Sequence, residues 1–147
     1  MGARRKGREL AVQALYQIEL GGESAAETLP AFWEHCEAGS RAKEFGAALV
    51  DGVRAQRERI DELISQTSEH WRFDRLSRVD LNVLRVATYE LLQGAVPTSV
   101  VIDEAIEVAR RFGTQESAVF VNGMIDHIAS TLGVKDRTPQ AGARGDE

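Results

Sequence analysis

The side chains that most often carry out catalysis are present in this chain, but their spacing does not assemble an active site. His35 and Cys36 are adjacent, so on a helix they point about 100° apart and do not form a base–thiol pair. The acids Asp103, Glu104 and Glu107 lie near the start of a predicted helix, where the positive helix end and solvent favour their charge. The sequence therefore predicts that this protein is not an enzyme.

Sites for metals and nucleotide cofactors are not predicted either. His70 and His127 lack partners at the spacing of a zinc site, and the chain has no phosphate-binding glycine loop or dinucleotide fingerprint. The single cysteine, Cys36, cannot form a disulfide within the chain, which favours a reducing compartment. No run approaches the roughly 18 apolar residues that would span a membrane. We expect a cytoplasmic protein without cofactor, metal or membrane partner.

Basic side chains are concentrated at the beginning of the chain. Residues 1–8 contain Arg4, Arg5, Lys6 and Arg8 and no acid. Removing these four from the 18 basic residues leaves 14 against 23 acidic residues, or −9, whereas the whole chain carries −5. A basic arm on an acidic body can bind a polyanion locally, although a solubilising terminus would have the same composition. Because the arm precedes the first apolar stripe, we expect its replacement to leave the fold intact.

Apolar residues recur at helical spacing along most of the chain, which predicts an all-α, compact bundle of about seven helices without a sheet. The 147 residues suffice for one domain with a real core. We predict a basic arm at residues 1–8, a helical domain at residues 9–133 and a disordered tail at residues 134–147. The predicted helical segments are 9–20, 24–37, 41–66 with a possible bend at Gly52, a short turn at 71–76, 78–93, 97–112 and one that follows Thr114.

Several helix ends have recognisable signals. Ser24 and Ser77 begin sequences typical of capping boxes. Gly113 stands where a helix is expected to stop in the left-handed conformation, and Thr114 is expected to cap the next helix. These signals predict a tight polar corner between the last two helices.

The two helices on either side of that corner carry a specific pattern. From Val96 to Asp126 the chain reads V-P-T-S-V-V-I-D-E-A-I-E-V-A-R-R-F-G-T-Q-E-S-A-V-F-V-N-G-M-I-D. This stretch closely resembles the C-terminal helix pair of the NusB family of bacterial transcription antitermination factors. The block R-V-D-x-x-V-L-R-V-A-x-Y-E-L-L at residues 78–92 and the basic arm that continues into E-L-A-V-Q-A-L-Y at residues 9–16 resemble the same family. The resemblance covers most of residues 3–130.

The NusB resemblance implies that the protein binds the boxA element of nascent RNA, mainly in ribosomal RNA operons. It implies joint binding with the small-subunit ribosomal protein that acts as NusE, and a role in helping RNA polymerase resist termination. The matching motifs place on the RNA side Arg4, Arg5, Lys6, Arg8, Tyr16, Glu116 and Phe120. The side that faces the ribosomal protein is expected near Asp80, Leu84 and Arg85, although core packing is an alternative role for Leu84.

The chemistry of RNA recognition gives these residues specific tasks. Single-stranded RNA is read by stacking of its bases on aromatic rings and by hydrogen bonds to base edges. Tyr16 and Phe120 are the aromatics expected to stack, and Gln13, Glu116 and Asn122 are expected to bond base edges. Both aromatics also fit a second interpretation, because Tyr16 borders an apolar stripe and an aromatic beside a polar turn is often a core residue.

Two other functions remain open. A NusB-like domain also forms the RNA-binding end of certain ribosomal RNA cytosine methyltransferases. Because this chain ends before a methyltransferase domain would fit, we expect that role only if the chain is a fragment. A purely structural helical dimer is the second alternative, and the sequence leaves open whether two copies pair. An RNA titration and size-exclusion behaviour would separate these functions.

Overall fold

Seven α-helices make up most of the chain that the computed structural model describes, namely residues 2–21, 24–67 and 76–135. In chain order they are α1 (Ala3–Gly21), α2 (Ala25–His35), α3 (Ser40–Ala55), α4 (Arg57–Thr67), α5 (Arg78–Gln93), α6 (Thr98–Phe112) and α7 (Gln115–Thr131). These residues contain no β-strand, so the prediction of an all-α bundle is confirmed. None of the described helices is long and apolar enough to cross a membrane.

Helix α5 lies at the centre of the bundle. It contacts α1, α3, α4, α6 and α7, and 11 of its 16 residues are buried, so little of α5 faces solvent. The Ser77 side chain caps its start by accepting a hydrogen bond from the Asp80 backbone N–H at 3.0 Å. Gly94 ends it in the left-handed conformation with φ 74°, which glycine adopts without steric penalty. The predicted helix over residues 78–93 is confirmed.

Helices α1 and α3 approach each other closely because each has a glycine at the contact. A Cβ atom on Gly7 would lie 2.8 Å from the Phe45 ring, and one on Gly46 would lie 2.9 Å from the Gly7 carbonyl oxygen. Larger residues would force the two backbones apart. Helix α1 begins at Ala3, so most residues of the predicted arm form its first two turns and belong to the bundle.

The long helix predicted for residues 41–66 is two helices, and the bend is not at Gly52. The chain breaks at Gln56, where φ is −114° and ψ is 23°. Gly52 is instead covered by an aromatic ring, since a Cβ atom there would lie 2.0 Å from Cζ of Tyr89. The glycine makes room for this ring, and the helix ends three residues later at Ala55.

The corner between α6 and α7 is capped as predicted, with one difference. The Thr114 side chain accepts from the Ser117 N–H at 3.1 Å, and the Ser117 side chain accepts from the Thr114 N–H at 3.2 Å. Gly113, however, has φ −117°, so the prediction of a left-handed stop there is wrong. A Cβ atom on Gly113 would lie 2.5 Å from the Ser117 Oγ. The glycine therefore keeps space for the capping side chain.

The predicted cap at Ser24 and the predicted tail are only partly as expected. Ser24 stands at the N-cap of α2 but its side chain makes no capping hydrogen bond. The first residue of the predicted tail is tied to the bundle, because Thr98 Oγ1 donates to the Val134 carbonyl oxygen at 2.6 Å. Residues 71–75 of the turn predicted at 71–76, and the tail from residue 136 onward, lie outside the described residues.

Candidate nucleic-acid interface

A groove runs along one side of α1. It has a volume of about 640 Å³ and is bordered by residues of α1, α2, α5 and α6. Lys6, Gln13 and Tyr16 line it from α1, and Phe32 of α2 and Phe112 of α6 line its other walls. We call this feature the α1 groove. Lys6 and Gln13 are seven residues apart, which is close to two helical turns, so they face the same way. The structure therefore brings together three of the residues predicted to contact RNA.

The side chains of the α1 groove match the requirements of single-stranded RNA. Tyr16 is half-buried and Gln13 is exposed, so an aromatic ring and an amide border the same open space. Lys6 adds a positive charge at one end of the groove. Aromatic faces stack with bases, amides bond base edges and ammonium groups attract phosphates.

Arg8 lies on a different side of α1 and is buried. Only 2% of its surface is exposed. Its Nε donates to Oε1 of Glu90 at 2.7 Å and its Nη2 donates to Oε2 at 3.0 Å, while its Nη1 lies 3.4 Å from Oε1 of Glu104. A planar guanidinium suits such bidentate pairing inside a protein. The prediction that Arg8 contacts phosphate at the mouth of the first helix is wrong, because two buried carboxylates bind it within the fold.

Arg5 extends the same set of ion pairs. Its Nε donates to Oε1 of Glu104 at 2.9 Å and its Nη2 contacts Oε2 at 2.5 Å. The hydrogen bond from Arg5 lowers the pKa of Glu104; burial opposes this effect, and the charges of Arg5 and Arg8 reinforce it. Arg4 points elsewhere, with its guanidinium carbon 5.5 Å from the Phe45 ring centroid. The basic cluster is thus divided between partners inside the bundle and positions at its surface.

The predicted RNA residues of α7 also separate into two groups. Glu116 is exposed, and Phe120 follows one turn later, half-buried and packed against the core. Asn122 is exposed, but it lies about 200° around the helix from Phe120. The structure brings Glu116 and Phe120 to one side of α7 and places Asn122 on another. Phe120 packs part of its ring against the core and leaves part of it accessible, so both the core role and the RNA-contact role stay open for it.

Phe112 is a residue of this surface that the sequence did not single out. It ends α6, lines the α1 groove and directly precedes the corner that leads to Glu116. It thereby connects the groove with the start of α7. The signal was present in the quoted pattern, where this phenylalanine precedes the glycine of the corner.

The residues predicted to face a protein partner are inside the bundle. Leu84 is 0% exposed, Arg85 3% and Asp80 8%. Arg85 donates to Asp61 at 2.8 Å and to Glu19 at 2.5 Å, which ties α5 to α4 and α1. Leu84 has the core role that was the alternative for it, and Asp80 and Arg85 make internal contacts of the central helix, so the folded chain does not present these side chains to a partner.

The remaining candidates for chemistry do not form a cluster. A His35 ring nitrogen lies 2.8 Å from the Ala31 carbonyl oxygen, and the Cys36 thiol donates to the Trp33 carbonyl oxygen at 3.6 Å. Within the described residues, no group of three or more histidine, cysteine or acidic side chains is placed to hold a metal ion. His70 lies outside those residues.

Comparison with known proteins assigns the chain to a family. The NusB family model matches residues 5–130. The chain is 45% identical over 137 residues to the transcription antitermination protein NusB of Myxococcus xanthus, covering 90% of this chain and 98% of that protein. It is 48% identical over 134 residues to the protein of the same name in Geobacter sulfurreducens, covering 90% and 97%.

Solved structures agree with this assignment. NusB from T. maritima superposes with a TM-score of 0.76 at 42% identity, over 86% of this chain and 90% of that one. A chain from the crystal structure of antitermination factors NusB and NusE in complex with dsRNA superposes with a TM-score of 0.77 at 26% identity, over 89% and 98%. The chain described here therefore belongs to the NusB family.

Proposed function

We propose that this chain is a transcription antitermination factor that binds boxA-type single-stranded RNA together with the small-subunit ribosomal protein that acts as NusE. In this role it promotes processive transcription of ribosomal RNA operons as part of an RNA polymerase antitermination complex. It acts by binding, without a catalytic step or a cofactor, and in the cytoplasm, where bacterial transcription takes place. The names of its relatives and the NusB–NusE–dsRNA structure support this assignment.

The α1 groove is the observation that supports the proposal best. Tyr16 and Phe112 offer aromatic surface, Gln13 offers a hydrogen-bonding amide and Lys6 offers a positive charge around one open space. Glu116 and Phe120 lie one turn apart on α7, which follows Phe112 after the corner. Bases stacked in the groove would present their edges to Gln13. This arrangement suits unpaired bases better than a duplex, whose bases already stack on one another.

The partner protein is proposed to increase RNA affinity. One groove of this size supplies few base contacts, so the chain alone is expected to bind RNA modestly. If the partner raises the affinity for RNA, RNA must raise the affinity for the partner by the same factor. This reciprocity gives the proposal a quantitative test.

The experiment consists of two pairs of titrations. Fluorescently labelled boxA-type single-stranded RNA is titrated with the chain, with and without the ribosomal protein, and the ribosomal protein is titrated with the chain, with and without RNA. A scrambled RNA and a duplex of the same sequence serve as controls. We expect the two coupling factors to agree and the scrambled RNA to bind more weakly. Equal RNA affinity with and without the partner would refute joint binding, and equal affinity for the scrambled RNA would refute recognition of boxA.

A further inference from the structure

A second open space, which Lys6 also lines, lies between the starts of α1 and α3 and the end of α6. It has a volume of about 690 Å³. Three basic side chains line it, one from each helix, namely Lys6, Arg41 and Arg111, and Glu9 is the acidic side chain in its wall. We call this space the basic pocket. The pocket thus concentrates three positive charges in a chain whose net charge is −5.

Two of the three basic side chains of the pocket reach it from solvent-exposed positions, and Lys6 is half-buried. Arg41 is exposed in the first turn of α3, and the Arg111 side chain is 56% exposed at the end of α6. Arg111 Nε lies 3.5 Å from the Glu9 carboxylate, whose side chain is only 6% exposed. One buried carboxylate thus holds Arg111 at the rim of the pocket, and basic side chains outnumber acidic ones in its lining. Exposed guanidinium and ammonium groups are the side chains that bind phosphate oxygens.

The backbone adds to this positive field. The Gly2 carbonyl accepts from the Lys6 N–H at 3.3 Å and the Gly39 carbonyl accepts from the Lys43 N–H at 3.1 Å. The N–H groups before Lys6 and Lys43 in the two first turns therefore have no acceptor within their helices. Both helix starts line the pocket, because the Gly7–Gly46 crossing brings them together. Their positive ends reinforce the attraction that the three side chains exert on an anion.

The basic pocket and the α1 groove share one lining residue, Lys6. A chain of phosphates that leaves the groove beside Lys6 would therefore lie next to the pocket. We infer that the basic pocket binds backbone phosphates of the RNA beyond the bases held in the groove, which adds Arg41 and Arg111 to the RNA-binding residues. This inference rests on the proposed function. Phosphate contacts of this kind give affinity without sequence preference.

Salt dependence tests the inference, because each phosphate neutralised on single-stranded RNA contributes about 0.7 to the slope of log affinity against log salt. The double variant Arg41→Ala/Arg111→Ala is expected to lower that slope by about 1.4 and to weaken boxA and scrambled RNA by the same factor. The matched control is Arg110→Ala, which removes the neighbouring charge of α6, where Arg110 is exposed and paired with Glu107. The control is expected to retain the wild-type slope. Thermal melts of all three proteins verify that each is folded.

The length of the RNA provides a second test of the inference. RNA lengthened one nucleotide at a time from each end should gain affinity with the wild-type chain from one end only, and the double variant should lose that gain. A double variant with the slope and length dependence of Arg110→Ala would overturn the inference while leaving RNA binding in the α1 groove intact. Loss of RNA binding in the wild-type chain would instead contradict the proposed function itself.

A titration with inorganic phosphate distinguishes a free phosphate ion from an RNA phosphate as the occupant of the pocket. The NMR signals of the Arg41 and Arg111 backbone amides, recorded during this titration, report directly whether the pocket is occupied. Competition between phosphate and the extended RNA is expected, and it should disappear in the double variant. Phosphate binding at these residues without any change in RNA affinity would mean that the pocket holds a free anion, which would also overturn the inference.

Discussion

Helix α1 has two sides that use the same kind of residue for different purposes. On its inner side Arg5 and Arg8 bind buried carboxylates of α5 and α6, whereas on its outer side Lys6 borders the α1 groove. The two sets differ by helical phase, because Arg5 and Arg8 are three residues apart and Lys6 is rotated by about 100° from Arg5. A cluster of basic residues in a sequence is therefore not a single functional unit. Some of its members bind carboxylates inside the fold, and others border open space at the surface.

The inner side is expected to control stability, which corrects the expectation that replacing the basic arm leaves the fold intact, because Arg8 is buried. Removing one partner of a buried ion pair leaves the other charge without compensation and costs about 3–5 kcal/mol. Arg8→Ala would leave Glu90 and Glu104, which are 5% and 7% exposed, with much less compensating charge. We expect the free energy of unfolding, measured with urea, to fall by about that amount. Arg110→Ala is the matched control, since exposed pairs contribute about 0–1 kcal/mol.

An Arg8→Ala protein as stable as the Arg110→Ala control would remove the distinction between the two sides. It would mean that the Arg8 ion pairs add no net stability. Arg8→Met offers a further comparison, because an apolar side chain of similar length fills the space but still leaves the two carboxylates unpaired. It should recover only the packing part of the loss.

Phe120 tests how far the outer surface extends onto α7. Its ring is half-buried against the core, so Phe120→Ala should lose less than the roughly 3–5 kcal/mol of a fully buried phenylalanine. We also expect RNA affinity to fall by about 1–3 kcal/mol, the usual contribution of one stacked base. A urea titration and an RNA titration on the same variant give both numbers. Full RNA affinity in the folded variant would assign Phe120 to the core alone.

Tyr16 is the sharper test of the α1 groove itself. Tyr16→Ala removes the aromatic surface and should weaken binding of boxA-type RNA by about 1–3 kcal/mol. Tyr16→Phe keeps the ring and should retain most of the affinity if stacking is the dominant contact. Fluorescence titrations of both variants against one RNA measure the difference. If Tyr16→Ala binds as tightly as Tyr16→Phe, the ring does not contact a base.

Acid is expected to weaken the buried ion pairs of the bundle, including those of Glu104 on the inner side of α1. The pKa of Glu104 in the folded chain is lowered from its ordinary value of 4.5, so its ion pairs stabilise the fold above about pH 4.5 and are lost as the pH falls through the lowered pKa. Asp61 acts in the same direction: burial raises its pKa, but hydrogen bonds and charges from Arg85 and Arg57 outweigh burial. We expect the free energy of unfolding to decline below about pH 4.5. Glu104→Gln should be less stable at neutral pH and show a shallower decline, and an equally steep decline would show that Glu104 is not responsible.

Local signals in the sequence predicted much of the fold. The extent of α5 and the caps at Ser77 and Thr114 follow from residues within a few positions of each helix end, and the structure contains them. The role of Arg8 could not be predicted in this way, because its carboxylate partners Glu90 and Glu104 are 82 and 96 residues away along the chain. A charge count locates positive residues but not the acids that the fold places beside them.

Prediction of the site from the sequence has the same limit, because it cannot include contacts between distant parts of the chain. The resemblance identified Tyr16 and Phe120 from the motif, and helical phase would have placed Lys6 and Gln13 on one face if the arm had been treated as part of α1. The burial of Leu84 and Arg85 depends on five other helices surrounding α5. Such a central position cannot be derived from the periodicity of α5 alone, since an apolar pattern around a helix suits both a core and an interface.

The most direct test of the two-sided helix compares Lys6→Ala with Arg8→Ala, since each removes one positive charge from α1. For each variant the salt dependence of RNA binding is measured at a temperature where the protein is folded, together with the free energy of unfolding. Lys6→Ala should lower the salt slope by about 0.7 with little change in stability, and Arg8→Ala should lose stability while its slope stays at the wild-type value. An equal fall of the slope in both variants would contradict the account, because it would mean that Arg8 also contacts RNA phosphate.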